Sequence, residues 1–189
     1  MQDDHSGIGC LKFKEVAKDN WGDFEKLFQC KGGPKACWCM VWRAKSAEAK
    51  QTDGASRKAA MKQRIFADKV VGLLGYIDDE PVVWCSVAPR STYRRLTEDG
   101  SSDEGIWSIA CIFIVRRFRG QGLSQSIISA AVAFARSGGA RAVEAYPVDP
   151  SSPSYRFMGF ISMFEAAGFR EIGLAGSRRH VFRLTFGEG

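Results

Sequence analysis

Three arginines and two glycines fall within nine residues at Arg116 to Ser124, RRFRGQGLS, directly after the apolar run Ile106 to Val115. A glycine-rich turn between a buried strand and a helix exposes backbone N–H groups at the positive end of the helix dipole, which suits an anion. Gly120 and Gly122 let the backbone approach that anion without a Cβ in the way, and Arg117 and Arg119 can add charge-assisted hydrogen bonds. The chemistry expected here is the binding of several phosphate charges. A tight turn with solvated arginines would account for one glycine and one arginine but not for their repeated spacing.

Other reactive side chains carry less. Cys30, Cys37 and Cys39 could offer three thiolates to zinc, but a structural site needs a fourth ligand, and the only histidines, His5 and His180, are remote in sequence. No metal is assigned. The six cysteines (10, 30, 37, 39, 85 and 111) lie partly inside apolar runs of a chain too large to need disulfide staples, so reduced thiols are expected. The chain has no Walker motif, since Leu123 and Ser124 follow Gly122 where Lys and then Ser or Thr would be required. The dinucleotide fingerprint needs three glycines early in the chain, and this junction has two, past the midpoint.

The elements that must hold the junction follow from periodicity. Residues 11–16, LKFKEV, alternate as a half-buried strand, and a helix follows with Asp19 or Asn20 placed to cap it. The segment GGPKACWCMVWR is irregular, and Ser56 to Val70 forms a helix with an apolar face (Ala59, Met61, Ile65, Phe66) and a basic one. Residues 70–89 make a β-hairpin about the turn DDEP, and the polar residues 97–105 form a loop. Ile106 to Val115 is apolar on both faces, as in a central strand. Leu123, Ile127, Ile128, Ala131, Phe134 and Ala135 recur at helical spacing until SGGA, RAVEAY is a short strand, and residues 155–169 contain a helix ending at Gly168. REIGLA and HVFRLTF close the chain as a strand pair.

At 189 residues with 45% apolar content, one domain over 1–189 is expected. A net charge of +6 favours anionic ligands but is too mild to indicate nucleic acid, and the arginine cluster lacks the interleaved aromatics of an RNA-stacking platform. The longest apolar run is half the ~20 residues of a membrane span, and residues 1–9 lack a signal-peptide core, so a soluble cytoplasmic protein is expected.

The junction resembles the acetyl-CoA site of the GNAT acetyltransferase superfamily, whose pattern is Gln or Arg, two residues, Gly, one residue, then Gly or Ala; Arg117, Gly120 and Gly122 match it. The order of elements follows the same fold over most of the chain, and CWCMVWR, AYPVDP and MFEAAGF together look like a bacterial branch of that superfamily. The resemblance implies an α/β fold: a mixed, mostly antiparallel central sheet flanked by helices, with its fourth and fifth strands splayed apart. It implies acetyl-CoA as co-substrate, with the backbone of Ile112, Phe113 and Ile114 pairing with the pantetheine arm. Arg117, Arg119 and the residues Gly120, Gln121, Gly122, Leu123, Ser124 and Gln125 would hold the pyrophosphate. The activity implied is direct transfer of acetyl to a primary amine of a small molecule or peptide, without membrane or nucleic-acid partners and compatible with a homodimer.

Within that resemblance Glu144 matches a position that can carry the general base; the alternative is a strand glutamate facing solvent or paired with an arginine. The general-acid position departs from the pattern, because Phe164 stands where many relatives have tyrosine, leaving water, Tyr146, Tyr155 or Ser162 for that role. An acetyl-cysteine at Cys111 is disfavoured, since a buried strand thiol is ordinarily inert. Trp38, Trp42, Trp84 and Tyr93 could line an acceptor pocket, although aromatics by default supply core; the basic run Arg57 to Lys69 could attract an acidic substrate, although a charged helical face is ordinarily solvated. The rival reading from another class is a non-catalytic acyl-CoA-binding or regulatory module, suggested by Phe164 and the lack of an unambiguous acid and base.

Overall fold

The computed structural model describes residues 10–45, 47–94, 96, 102 and 104–187. His5, the first nine residues, and all of the polar loop 97–105 except Ser102, Glu104 and Gly105 lie outside the described residues. The chain runs β1 (Lys12–Glu15), α1 (Trp21–Gln29), α2 (Gly54–Phe66), β2 (Leu73–Ile77), β3 (Glu80–Pro89), β4 (Ile106–Ile114), α3 (Leu123–Ser137), β5 (Ala142–Ala145), α4 (Ile161–Glu165), β6 (Arg170–Ala175) and β7 (Arg179–Thr185). The seven strands form one sheet in the order β1-β2-β3-β4-β5-β7-β6. Only β4 and β5 are parallel; every other pair is antiparallel.

Strand alternation divides the core into two. Leu73, Ile77, Val83, Cys85 and Ile109 face α3 and α4, whose Ile127, Ile128, Ala131 and Phe164 cover them. Leu74, Tyr76 and Trp84 face the other way, under α1 and α2. There Phe24, Phe28, Trp38 and Trp84 pack ring against ring, with Phe24–Phe28 centroids 4.3 Å apart and Phe28–Trp38 5.2 Å. Trp38 and Trp84 are therefore core, Tyr93 is buried in a smaller cluster with Ala88, Ala110 and Tyr146, and Trp42 is half-buried.

Local chemistry sets the element ends. Asn20 caps α1 from outside, its amide bridging Ala17 N–H (2.8 Å) and the Glu15 carbonyl (2.8 Å) rather than bonding the first turn. The second helix begins two residues before Ser56 because Asp53 Oδ1 accepts from Ser56 N–H at 2.8 Å, and it ends at Phe66, short of Val70, because Asp68 takes a left-handed conformation (φ +55°). Its buried stripe is Met61 and Ile65; Ala59 and Phe66 are exposed. Its basic side is not simply solvated. Lys58 pairs with Glu25 and sits 5.4 Å from the Trp38 ring, and Lys62 lies 5.6 Å from Trp21.

The hairpin turn is the pair Asp78 and Asp79, both with positive φ (48° and 61°), the primed geometry that matches strand twist. The helix expected within residues 155–169 is there but short, ending at Glu165 rather than Gly168. Tyr155 (φ 60°) and Gly159 (φ 90°) bracket a 3₁₀ turn, Arg156–Met158, and only Ile161–Glu165 is α-helical. The interruption has a tertiary cause: Val148 N–H donates to Gly159 O (3.0 Å), and Ile161 N–H donates back to Val148 O (3.4 Å).

Candidate active site

The site begins with an extra residue in β4. Ser86 stands opposite Cys111 and Val87 opposite Ile109, so Ala110 has no counterpart and β4 bulges there. Beyond the bulge β5 is gone: it pairs with β4 only from Ile106 to Ile109, after which the chain turns away so that Val148 bridges to Phe160. The fourth and fifth strands are thus splayed. Val115 N–H donates to Val82 O (2.9 Å) across the β3 side, and strand polarity alternates, so the polar groups of Ile112 and Ile114 point the opposite way, into the gap. Ile114 O is reached there by Arg119 Nε at 2.7 Å.

The gap is a cleft of about 650 Å³. One wall is Ile112, Phe113, Ile114, Arg119, Gly120 and Ser124; the facing wall comes from Arg156, Phe157, Gly159, Phe160 and Met163. Nothing in the periodicity of YRFMGF marks that second wall, which is brought in by the Val148 bonds; Gly159 was its one visible signal. Gly120 (φ 77°) and Gly122 (φ 75°) stand at the mouth, and a Cβ on either would meet nothing within 4 Å, so the space before them is open. Gly122 caps α3 without a side-chain bond, leaving the first-turn N–H groups of Leu123, Ser124 and Gln125 without a side-chain acceptor at the cap.

The remaining junction side chains diverge. Arg117 is turned back over Phe118 (4.8 Å) and ion-pairs with Glu80 on the hairpin. Gln121 Nε2 bonds Arg117 O (2.9 Å), Gln125 Nε2 bonds Met163 O (3.1 Å), and the Leu123 side chain is buried in the core. Trp107 is core, and Phe113 and Cys111 pack partly buried against the cluster under α1 and α2.

Glu144 is fully buried, and its arginine pairing is the arrangement found. Strand register sets it opposite Arg183, whose Nη2 and Nε donate to Oε1 at 2.5 and 3.0 Å. Arg90, from the turn after β3, donates to Oε2 (3.0 Å) and Oε1 (3.2 Å), and Tyr146 O–H donates to Oε2 at 2.7 Å. The Tyr146 hydroxyl is also 2.9 Å from Ser108 Oγ. Burial, followed by the charge of Glu144, pushes the Tyr146 phenol well above its ordinary range. Arg90, Arg183 and Ser108 were not legible as a network, because register rather than sequence spacing unites them.

Among the other acid candidates, Tyr155 is 36% exposed and Ser162 is exposed, while Phe164 is buried against Phe169 at 5.4 Å. Arg179 lies between Trp42 (4.5 Å) and Tyr155 (5.5 Å), a cation held on aromatic faces. His180 Nδ1 is 2.8 Å from Glu171. All six cysteines carry free thiols. A hydrogen bond from Cys111 lowers the Cys39 pKa, as does the nearby Arg43 charge against the opposing effect of burial; Cys111 is raised by the same pairing and by burial. No described group of three or more His, Cys, Asp or Glu is placed to hold a metal ion, and no described helix is long and apolar enough to cross a membrane.

The model of the acetyltransferase (GNAT) family matches residues 16–160. No curated protein matches the chain significantly. Among solved structures, the chain is similar to aminoglycoside acetyltransferase AAC(6')-Ib in complex with coenzyme A, with 14% identity, TM-score 0.61, and 93% of this chain and 95% of that one covered. It is similar to the PaiA N-acetyltransferase of Thermoplasma acidophilum in complex with coenzyme A (8% identity, TM-score 0.58, covering 94% and 99%). It is also similar to YncA of Salmonella typhimurium, a putative acetyltransferase with acetyl-CoA (12% identity, TM-score 0.58, 95% of each). At these identities the likeness is one of fold.

Proposed function

The chain belongs to the GNAT acetyltransferase family, and on that premise we propose that it moves an acetyl group from acetyl-CoA to a primary amine of a small molecule or peptide by direct transfer. The observation that carries this reading is the edge of β4 at Ile112 and Ile114, which β5 does not cover, lying beside the bare N-terminus of α3. An extended amide-bearing arm fits the first, and a pyrophosphate fits the second together with Arg119, Gly120 and Ser124. Bound acetyl-CoA would supply an activated thioester. The cleft supplies position, which can account for much of the rate.

The acceptor nitrogen must be uncharged to attack. Both oxygens of Glu144 already accept from Arg90, and Arg183 and Tyr146 complete its shell, so in this reading it ties β5 to β7 and to the turn after β3, and the acceptor's proton leaves to water. Cys111 has no part: the Cys39 hydrogen bond and then burial keep its proton on, against thiolate attack.

The test is thiol release from acetyl-CoA over a panel of polyamines, amino acids, aminoglycosides and peptide N-termini, with Cys111→Ala in parallel. Turnover with one class, retained in the variant, supports direct transfer; a trapped acetyl-enzyme lost in Cys111→Ala would overturn it. The closed shell of Glu144 and the burial of Phe164 also favour a second reading, a binder of acyl-CoA without turnover. Tight CoA binding with no acceptor in the panel would select it.

A further inference from the structure

A second cavity, of about 540 Å³, opens between α2, the segment around Arg43–Glu48, and the chain flanking β2 and β3; it shares no lining residue with the cleft along β4. Part of its wall is Arg43, only 2% exposed. The Arg43 guanidinium is held rigidly: Nη2 donates to Val71 O (2.7 Å), Ser86 Oγ (3.0 Å) and Tyr93 Oη (2.8 Å), Nη1 reaches Thr92 Oγ1 (3.4 Å), and the Tyr93 ring lies 4.2 Å away. Every one of these acceptors is neutral. No carboxylate among the described residues pairs with Arg43, and its buried Nε has no partner at all. The contrast with Arg90 is direct, since that buried guanidinium meets Glu144.

The other walls deepen the imbalance. Arg64 is matched by Glu48 at 2.6 Å, and the second oxygen of that carboxylate is also taken by Arg64, at 2.7 Å. Lys45 and Lys69 line the same cavity and make no ion pair among the described residues. A buried charge is costly unless it is both paired and hydrogen-bonded, and Arg43 has the hydrogen bonds without a carboxylate among the described residues. Cys39, whose ionisation Arg43 favours, offsets one cation at most and does not line the cavity. The space is large enough for a small organic molecule, well beyond a single halide.

The geometry points to a binding site for a small organic anion, a carboxylate or phosphate, in this cavity, with Arg43 as the fixed donor and Lys45 and Lys69 closing from the rim. The anion could be the acidic end of the amine acceptor or a separate effector. Ser86, which Arg43 holds, lies directly opposite Cys111 in the β3–β4 pairing, so the guanidinium is one strand from the β4 edge.

The test is calorimetric titration of the full chain with succinate and with inorganic phosphate at constant ionic strength, in the presence of saturating CoA, with succinamide as the uncharged control. Saturable one-to-one binding of an anion but not of succinamide is expected. The double variant Lys45→Glu with Lys69→Glu should weaken it at least tenfold; both side chains are exposed, so the variant should fold even if Arg43→Gln does not, and its melting temperature checks this. Absence of saturation, equal binding of succinamide, or indifference to the double variant would each overturn the site. Where acetyl transfer to glutamate is measurable, competitive inhibition by succinate identifies the anion as the acceptor's own, and inhibition of another pattern identifies an effector. Because binding is read without turnover, failure of the acetyl-transfer reading leaves this test intact.

Discussion

Glu144 and Arg183 face each other because β5 and β7 are in register there, and Arg90 reaches the same carboxylate from the turn after β3. Glu144→Gln would keep much of the hydrogen bonding but remove the buried carboxylate that both Arg90, 5% exposed, and Arg183 bond, a cost of about 3–5 kcal/mol. In a chain of this size that lowers the melting temperature by about 10 °C. Thermal melts read by circular dichroism, beside kcat, check the role: an unchanged melting temperature with kcat down by about 10²-fold would make Glu144 the base instead. Cys39 gives a second test at this scale. Its pKa is lowered from an ordinary 9.0 to about 6, so its ionisation adds nothing to stability below about pH 6, contributes increasingly as pH rises, and is fully present above about 9. The difference in unfolding free energy between wild type and Cys39→Ser should follow that course. A difference independent of pH would show that Cys39 is not preferentially ionised in the folded state.

At the scale of elements, the strand-to-helix junction was legible because glycine spacing and buried periodicity are local properties. What side chains do there was only partly legible. Arg117 and Arg119 look equivalent in RRFRGQG, yet Glu80, a residue of the distant hairpin, draws Arg117 away while Ile114 O holds Arg119 at the cleft. Arg119→Ala should thus weaken CoA binding by about 10- to 100-fold, the worth of a charge-assisted hydrogen bond, and Arg117→Ala much less. Equal losses in calorimetry would return Arg117 to the site. The helix expected within residues 155–169 is present but confined to Ile161–Glu165 for a related reason: helical spacing is visible in the sequence, but the bonds from Val148 that hold the preceding residues in another conformation are not. The start of α2 was missed although its signal, Asp53 three residues before Ser56, was present.

For the whole molecule, the sheet's two halves meet along one short seam. β3 and β4 pair over Val83–Pro89 and Trp107–Ile114, whereas β4 and β5 pair only over Ile106–Ile109, and the Arg90–Glu144 ion pair is a clamp across that seam on the face away from α3. The mixed sheet and its splay were foreseeable from element order together with the family pattern, but the seam's chemistry was not, since it joins residues from three separate parts of the chain. A short seam should open before the strands on either side of it. Amide hydrogen exchange should therefore show β5 and β7 exchanging through a lower-energy opening than β2 and β3. From the end of β4 into Val115 the pattern should alternate: Phe113 and Val115, facing β3, protected at all times; Ile112 and Ile114, facing the cleft, fast in the free protein. Adding CoA should slow Ile112 and Ile114 selectively, and at about 100 times its dissociation constant should raise global stability by about 2.7 kcal/mol. Uniform protection along β4 before CoA is added, or slowing confined to α3, would mean that the free edge of β4 is not where the ligand's extended arm lies.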